Sequence, residues 1–220
     1  MTLDALVGAE VRTITPAQYA ERNQRMQAVA DEFAATGERA YVIPEGGSNG
    51  LGAFGYVHAM QEVRAQLDRG EAQAPTAFDA VVHGCGSGGT AAGVALGAAQ
   101  HGIATEVLPI AVCDDSAYFE RVVADIVEQA RALDATLPAP QRVRVLDAWK
   151  GPAYGVASDA QLRFIVQVAR ASGLVLDPVY SGKALFALAQ MPDKPARVLF
   201  IHTGGLPGLL AQADDFAAAL

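Results

Sequence analysis

The stretch Phe78–Gly93, FDAVVHGCGSGGTAAG, constrains this chain more than any other. Phe78–Val82 is short and largely apolar, which suits a strand covered on both faces. Gly84, Gly86, Gly88 and Gly89 then strip the backbone of side chains, and Ser87 and Thr90 add hydroxyls. Ala91–Gln100 is a run of small and apolar residues with helix length, and Gly102 stops it. A strand, a glycine loop and a helix start in this order turn backbone N–H groups toward one point. The helix adds the positive end of its dipole, which makes an anion cradle, most often for phosphate.

Two other readings of the loop stay open. Gly84-x-Gly86-x-x-Gly89 fits the dinucleotide fingerprint, whose acidic partner should follow about 20 residues on, after the next strand. That strand is expected over Thr105–Val112, and Asp114 comes 30 residues after Gly84, which disfavours a dinucleotide. A tight turn without a ligand is the plainer alternative. The phosphate cradle is preferred.

Strand and helix patterns alternate along the chain. A loop and strand are expected over Val7–Ile14, and short strands at Tyr41–Ile43, Val143–Leu146, Leu174–Leu176 and Val198–His202. Helices are expected from Thr15-Pro16 to about Thr36, over Leu51–Leu67 and Ser116–Leu133, from Ser158 to Ser172 and over Lys183–Gln190. Thr15 and Ser158 read as N-caps, the latter in a capping box with Gln161. Asp68–Ala77 and the proline-bearing Asp134–Gln141 read as linkers, and Trp149–Val156 as a loop. The pattern implies an α/β fold, a doubly wound and mostly parallel sheet with helices on both faces. A partial small domain is expected over 1–44 and a larger domain over 45–220. Ligands of such sheets sit beyond the carboxyl ends of the strands. The glycine loops at 45–50, 84–89 and 204–205 all follow strands, so they should share one edge.

Charge narrows the partners. A formal net charge of −8 argues against nonspecific nucleic-acid binding, which needs clustered Lys and Arg. A small anion held by backbone groups is compatible with it. Cys85 and Cys113 show no metal-ligand spacing and suit a reduced, cytoplasmic setting; no metal site is expected. Met1–Arg12 does not read as a signal peptide, and no apolar run approaches the about 18 residues of a membrane span.

Several other residues stand where chemistry is possible. Ser48 and Asn49 lie in Gly46-Gly47-Ser48-Asn49-Gly50, where a hydroxyl and an amide can hold a carboxylate or a ring edge. The same segment fits a G-x-S-x-G elbow with Asp177 and His202 following in hydrolase order. Only 47 residues precede Ser48, and Pro44 interrupts the strand that should support an elbow. Tyr180 follows Asp177-Pro178 and can serve as proton donor or stacking plate. Thr203 offers a neutral hydroxyl at a strand end. A plain turn is the simpler account of Asn49 and of Thr203, and a partly buried surface tyrosine that of Tyr180.

Four motifs together resemble a known family. IPEGGSNGLGAFGYV (43–57), GCGSGGTAAG (84–93), LDPVYSGKA (176–184) and IHTGGLPGL (201–209) resemble the D-cysteine desulfhydrase and 1-aminocyclopropane-1-carboxylate deaminase family, in order and over nearly the whole chain. The resemblance implies a tryptophan-synthase-β-like fold and the cofactor pyridoxal 5'-phosphate. It implies that Gly86, Ser87, Gly88, Gly89 and Thr90 bind the cofactor phosphate. Thr203 would face the pyridine nitrogen, and Tyr180 would flank the ring and act on the substrate side. The implied reaction is α,β-elimination from a small amino acid such as D-cysteine, giving pyruvate, ammonia and sulfide. A cysteate lyase and the cyclopropane deaminase are the related alternatives. The deaminases resemble Y-E-G-K with a non-hydroxyl residue before Gly-Gly; Tyr180-Ser181-Gly182-Lys183 and Thr203-Gly204-Gly205 favour the desulfhydrase side. The family's Schiff-base lysine belongs to an N-terminal region with no counterpart here, and Lys183 matches a different family position. The chain is therefore expected to be an incomplete form, a homodimer or a partner of a separate N-terminal segment. A noncatalytic phosphate- or cofactor-binding remnant is the alternative.

Overall fold

The computed structural model describes residues 2–71 and 77–217. The chain divides into two compact units, Met1–Pro44 and Glu45–Leu220.

The first unit holds helices α1 (Thr2–Leu6), α2 (Pro16–Tyr19) and α3 (Arg22–Ala35). Thr15 starts α2 with a full capping box, its hydroxyl accepting from the Gln18 amide while the Gln18 side chain accepts from the Thr15 amide. The expected single helix to Thr36 is broken between Tyr19 and Arg22. Neither piece buries a side chain, so no packed face holds them as one rod. Arg12 bonds Glu10 at 2.8 Å and Glu32 at 2.6 Å. The strands expected at Val7–Ile14 and Tyr41–Ile43 do not form, and Tyr41 and Ile43 are 68% and 66% exposed. A β-branched run becomes a strand only beside a partner, and all four described strands lie in the other unit.

The second unit is built on β1 (Phe78–Cys85), β2 (Ala104–Ala111), β3 (Arg142–Val143) and β4 (Val198–Phe200). Their order is β3-β2-β1-β4 and every pairing is parallel. Its helices are α4 (Gly50–Asp68), α5 (Gly89–His101), α6 (Ser116–Leu133), α7 (Asp159–Ser172), α8 (Ser181–Gln190), α9 (Leu206–Ala211) and α10 (Ala213–Ala217). The two faces separate by strand alternation. Val81 and Val107 point toward α4 and α5, where they pack with Met60, Val94 and Ala98. Ala80, Val82, Leu108 and Ile110 point the other way, onto Ala184 and Ala187 of α8. Helices on both faces make the sheet doubly wound, as the alternation implied. Small residues on α5 (Ala91, Ala92) let α4 and α6 close over it through Ala53, Val57, Val123 and Ile126.

Three local expectations change. Leu174–Leu176 forms no strand; the His202 ring, with Nε2 2.8 Å from the Val175 oxygen, takes the acceptor a ladder would use. The strand at Val143–Leu146 pairs through Arg142–Val143 and then by one bridge, Leu146 to Ile110. The last strand stops at Phe200 and is only half-buried. Residues 72–76 of the Asp68–Ala77 linker lie outside the described residues. Among the described residues no helix is long and apolar enough to cross a membrane.

Candidate active site

The carboxyl end of β1 runs straight into the glycine loop. Gly88 is the N-cap of α5 in the left-handed region, at φ 86°. That value bends the chain from strand to helix, and any L side chain there is strained. The first intrahelical bond of α5 is Ala92 N to Gly88 O, so the amides of Thr90 and Ala91 have no acceptor within the helix.

Three other loop amides, those of Ser87, Gly88 and Gly89, have protein partners. Gly89 N donates to Ser48 Oγ at 3.2 Å, and Ser48 Oγ in turn donates to Ser87 Oγ at 2.7 Å. The N–H groups of Gly88 and Ser87 face the Cys85 sulfur. Burial pushes that thiol up to about 12, and the two amides partly offset the shift. The cradle is thus narrower than a convergence of the whole loop on one ligand. The amides it leaves at the helix start are those of Thr90 and Ala91, beside the Ser87 hydroxyl, and a serine oxygen already accepts from Gly89. A phosphate oxygen asks for the same acceptor position, so the residues fit the phosphate of a cofactor.

Tyr180 closes the other side. It enters α8 as N-cap, and its amide, with those of Val179 and Ser181, donates to the buried Asp177 carboxylate at 2.7–2.8 Å. A Cβ on Gly86 would meet the Tyr180 ring at 2.9 Å, so the ring lies against bare backbone. Its hydroxyl bonds that of Tyr154, with the rings 6.0 Å apart and edge to face. Burial first, and then the Tyr154 hydroxyl, push the Tyr180 phenol well above its ordinary pKa, so at neutral pH it carries its proton. Cys113, whose thiol is pushed up to about 11 by burial, donates to Gly86 O at 3.8 Å.

The residues singled out in the sequence are thus partly gathered. Ser48, Ser87, Gly88, Gly89 and Thr90 lie together, and Tyr180 lies on Gly86. Asn49 instead caps α4, its side-chain oxygen accepting from Gly52 N at 2.7 Å. Thr203 is exposed, three residues past the Val82–Phe200 pairing on the strand beside β1. No hydrolase triad forms: Ser48 pairs with Ser87, Asp177 holds the start of α8, and His202 bonds Val175 O and Gly204 N. Tyr154 escaped notice in the sequence. It sits in WKGPAYGV, a loop after a parallel strand, and the strand-end rule alone would have placed it on this edge.

Arranged this way, a parallel α/β sheet with a phosphate-fitting loop is an enzyme scaffold for a phosphate-bearing cofactor. The crystal structure of a 1-aminocyclopropane-1-carboxylate deaminase homologue matches 100% of this chain with a TM-score of 0.83 at 29% identity, and 66% of that chain is covered. The family model described as pyridoxal-phosphate dependent enzyme matches residues 1–204. The chain belongs to this pyridoxal-phosphate-dependent family, among its D-cysteine desulfhydrase and 1-aminocyclopropane-1-carboxylate deaminase members. The bifunctional D-cysteine desulfhydrase/1-aminocyclopropane-1-carboxylate deaminase of Arabidopsis thaliana, a mitochondrial protein, is 36% identical over 100% of this chain and 55% of its own length. A putative 1-aminocyclopropane-1-carboxylate deaminase of Thermotoga maritima is 36% identical over 97% of this chain and 67% of its own. A D-cysteine desulfhydrase of Yersinia pestis is 38% identical over 86% and 57%. The chain therefore spans between 55% and 67% of the length of these relatives.

Proposed function

We propose that this protein is part of a pyridoxal-phosphate-dependent lyase that performs α,β-elimination on a small amino acid such as D-cysteine, with pyruvate, ammonia and sulfide as products. The observation that carries the reading is the phenol pair Tyr180–Tyr154 laid beside the Ser48–Ser87–Gly89 cradle. Bound pyridoxal phosphate supplies the electron sink that lets a bond at the substrate's α-carbon break.

The chain's own groups take the following roles in this proposal. Gly86, Ser87, Gly88, Gly89 and Thr90 form the phosphate loop. The Gly89 and Thr90 amides and the Ser87 and Thr90 hydroxyls are its donors, and Ser48 yields the Gly89 amide to a phosphate oxygen. Asn49 has its Oδ1 committed to Gly52 N, so only its two amide N–H donors are left to serve a substrate carboxylate. Thr203 provides a hydroxyl rather than a carboxylate to the ring nitrogen. Tyr180, protonated at neutral pH, donates to the departing sulfur. The serine in Tyr180-Ser181-Gly182-Lys183 and the hydroxyl of Thr203 support sulfide elimination over cyclopropane opening. Large apolar side chains of the first unit, among them Leu3, Leu6, Val7 and Tyr41, are more than 60% exposed, which supports cover by a second chain.

The test mixes the purified chain with pyridoxal 5'-phosphate and D-cysteine and measures pyruvate and sulfide. The same assay is run with 1-aminocyclopropane-1-carboxylate, and the cofactor is titrated with and without inorganic phosphate. Saturable cofactor binding that phosphate competes away, with sulfide release, supports the proposal. Absence of phosphate-sensitive binding overturns it.

A further inference from the structure

We propose that Lys183 is a positioning residue, whose buried ammonium holds the loop Trp149–Val156 by its carbonyl oxygens and so sets Tyr154 against Tyr180. The functional weight of this inference rests on the reading of Tyr180 as a substrate-side donor. The contacts themselves do not.

Lys183 is fully buried. Its Nζ donates to Lys150 O at 2.6 Å, Ala153 O at 2.9 Å and Val112 O at 3.5 Å. An ammonium has three N–H donors and here meets three acceptors, so none is left over. Val112 directly follows β2, and Lys150 and Ala153 bracket the turn at Gly151-Pro152. Tyr154 is the next residue. Tyr180 lies one helical turn before Lys183, at the start of the same helix. One side chain thus ties the strand end, the middle of the loop and the turn that carries Tyr180. A further side-chain anchor of the loop backbone lies at its margin, where Gln161 Nε2 donates to Trp149 O at 2.7 Å.

A charge is costly to bury where, among the described residues, no carboxylate bonds it. Asp177 does not serve, because its oxygens accept from Val179, Tyr180 and Ser181. Methionine would fill similar volume at less desolvation cost. The ammonium is therefore explained by what it holds. The same contacts keep Lys183 from acting as a free amine.

The experiment uses the full chain, K183M and Y154F. Lys150–Gly151 is a tryptic bond inside the loop, and Trp149 is the only tryptophan, so both report on this loop alone. K183M is expected to be cut at Lys150 about tenfold faster than wild type with unchanged far-UV dichroism, since cleavage follows the open population. Its Trp149 emission is expected to shift, and its Tyr180 phenol, read by ultraviolet difference against Y180F, to ionise at lower pH, as in Y154F. Y154F itself should resist trypsin like wild type. Cutting at the wild-type rate with unchanged emission overturns the proposal. Should K183M fail to fold, the wild-type chain with ¹³Cε-lysine decides. It has three lysines, and the Lys183 signal must titrate below the ordinary lysine range. Titration of Lys183 within that range overturns the proposal. None of these readouts needs cofactor or turnover, so they fail separately from the lyase reading.

Discussion

Replacing Gly89 by alanine should weaken cofactor binding as well as the fold, and replacing Gly88 should act on the fold. At Gly88 a side chain meets two penalties. The left-handed backbone at φ 86° costs a non-glycine residue about 1–2 kcal/mol. The new Cβ would also stand 2.9 Å from Val122 Cγ1 on α6, an overpacking of about 1–3 kcal/mol. The stiffer unfolded chain returns about 0.5–1 kcal/mol, so Gly88→Ala should lose about 2–3 kcal/mol. At Gly89 the backbone has no such strain. The Cβ would lie 2.7 Å from Ser48 Oγ and 3.0 Å from Ser48 Cα. The hydroxyl can rotate away, losing its bonds to Gly89 N and Ser87 Oγ at about 1 kcal/mol each, and the Ser48 backbone must give by a few tenths of an ångström at about 1 kcal/mol, while alanine in the helix regains about 0.5–1 kcal/mol. Gly89→Ala should thus unfold within about 2–2.5 kcal/mol of wild type in urea. Its methyl, however, stands where the loop presents its first helical amide. Losing one charge-assisted bond of about 1.5–3 kcal/mol should raise the Kd for pyridoxal phosphate roughly ten- to hundredfold in an absorbance titration. A Gly89→Ala chain that binds the cofactor as wild type does would refute the cradle, and a Gly88→Ala chain of wild-type stability would refute the strain argument.

Lys183 and Asp177 supply two further predictions. Burial lowers the Lys183 amine to about 8 from its ordinary 10.5, against the opposing pull of Cys113 and Asp177. Between those values the native chain binds fewer protons than the unfolded one, so this group makes stability rise with pH. The wild-type minus K183M difference in urea stability should grow by about 1 kcal/mol from pH 7 to pH 9, in which the raised Cys85 and Cys113 thiols cancel; a flat or falling difference counts against it. Asp177→Asn should cost about 3 kcal/mol, because the buried carboxylate accepts three amides and the Ser181 hydroxyl at 2.6–2.8 Å and the amide side chain turns a donor toward them. Thermal unfolding of that variant at or above the wild-type midpoint would show that these bonds matter little.

What was legible in the sequence was mostly local. The N-cap at Thr15 and the capping box at Ser158 formed as read, and Thr15 adds a box with Gln18 that was not read, because these bonds span three residues and need no tertiary partner. The strand, glycine loop and helix at Phe78–His101 were legible for the same reason, and α6 runs over the residues read for it. Tyr41–Ile43 and Leu174–Leu176 have strand composition but lack a ladder, and composition does not reveal whether a neighbour exists. The loop itself held a second surprise. Cys85 was read only for compartment and metal spacing, yet its sulfur draws the Ser87 and Gly88 amides that the glycine pattern assigned to a ligand.

The segment Asp177–Lys183 shows why a site of this kind hides in a sequence. Its three polar anchors stand three apart, at 177, 180 and 183. Asp177 fixes the backbone on which Tyr180 enters α8. Tyr180 lies against Gly86 because Gly86 has no side chain in its way. Lys183, one turn on, reaches the loop that brings Tyr154 to meet it. Read alone, each has a bland account: a capping carboxylate, a half-buried ring, a lysine on a short helix. The helical period joins them only once α8 is known to begin at Ser181, two residues earlier than the apolar pattern at Lys183 indicates. That two-residue shift moves Tyr180 from a loop to a helix cap and Lys183 from a helix end to its first buried turn. Small errors at element boundaries are harmless for the fold, and at a strand end they decide which side chains share a site.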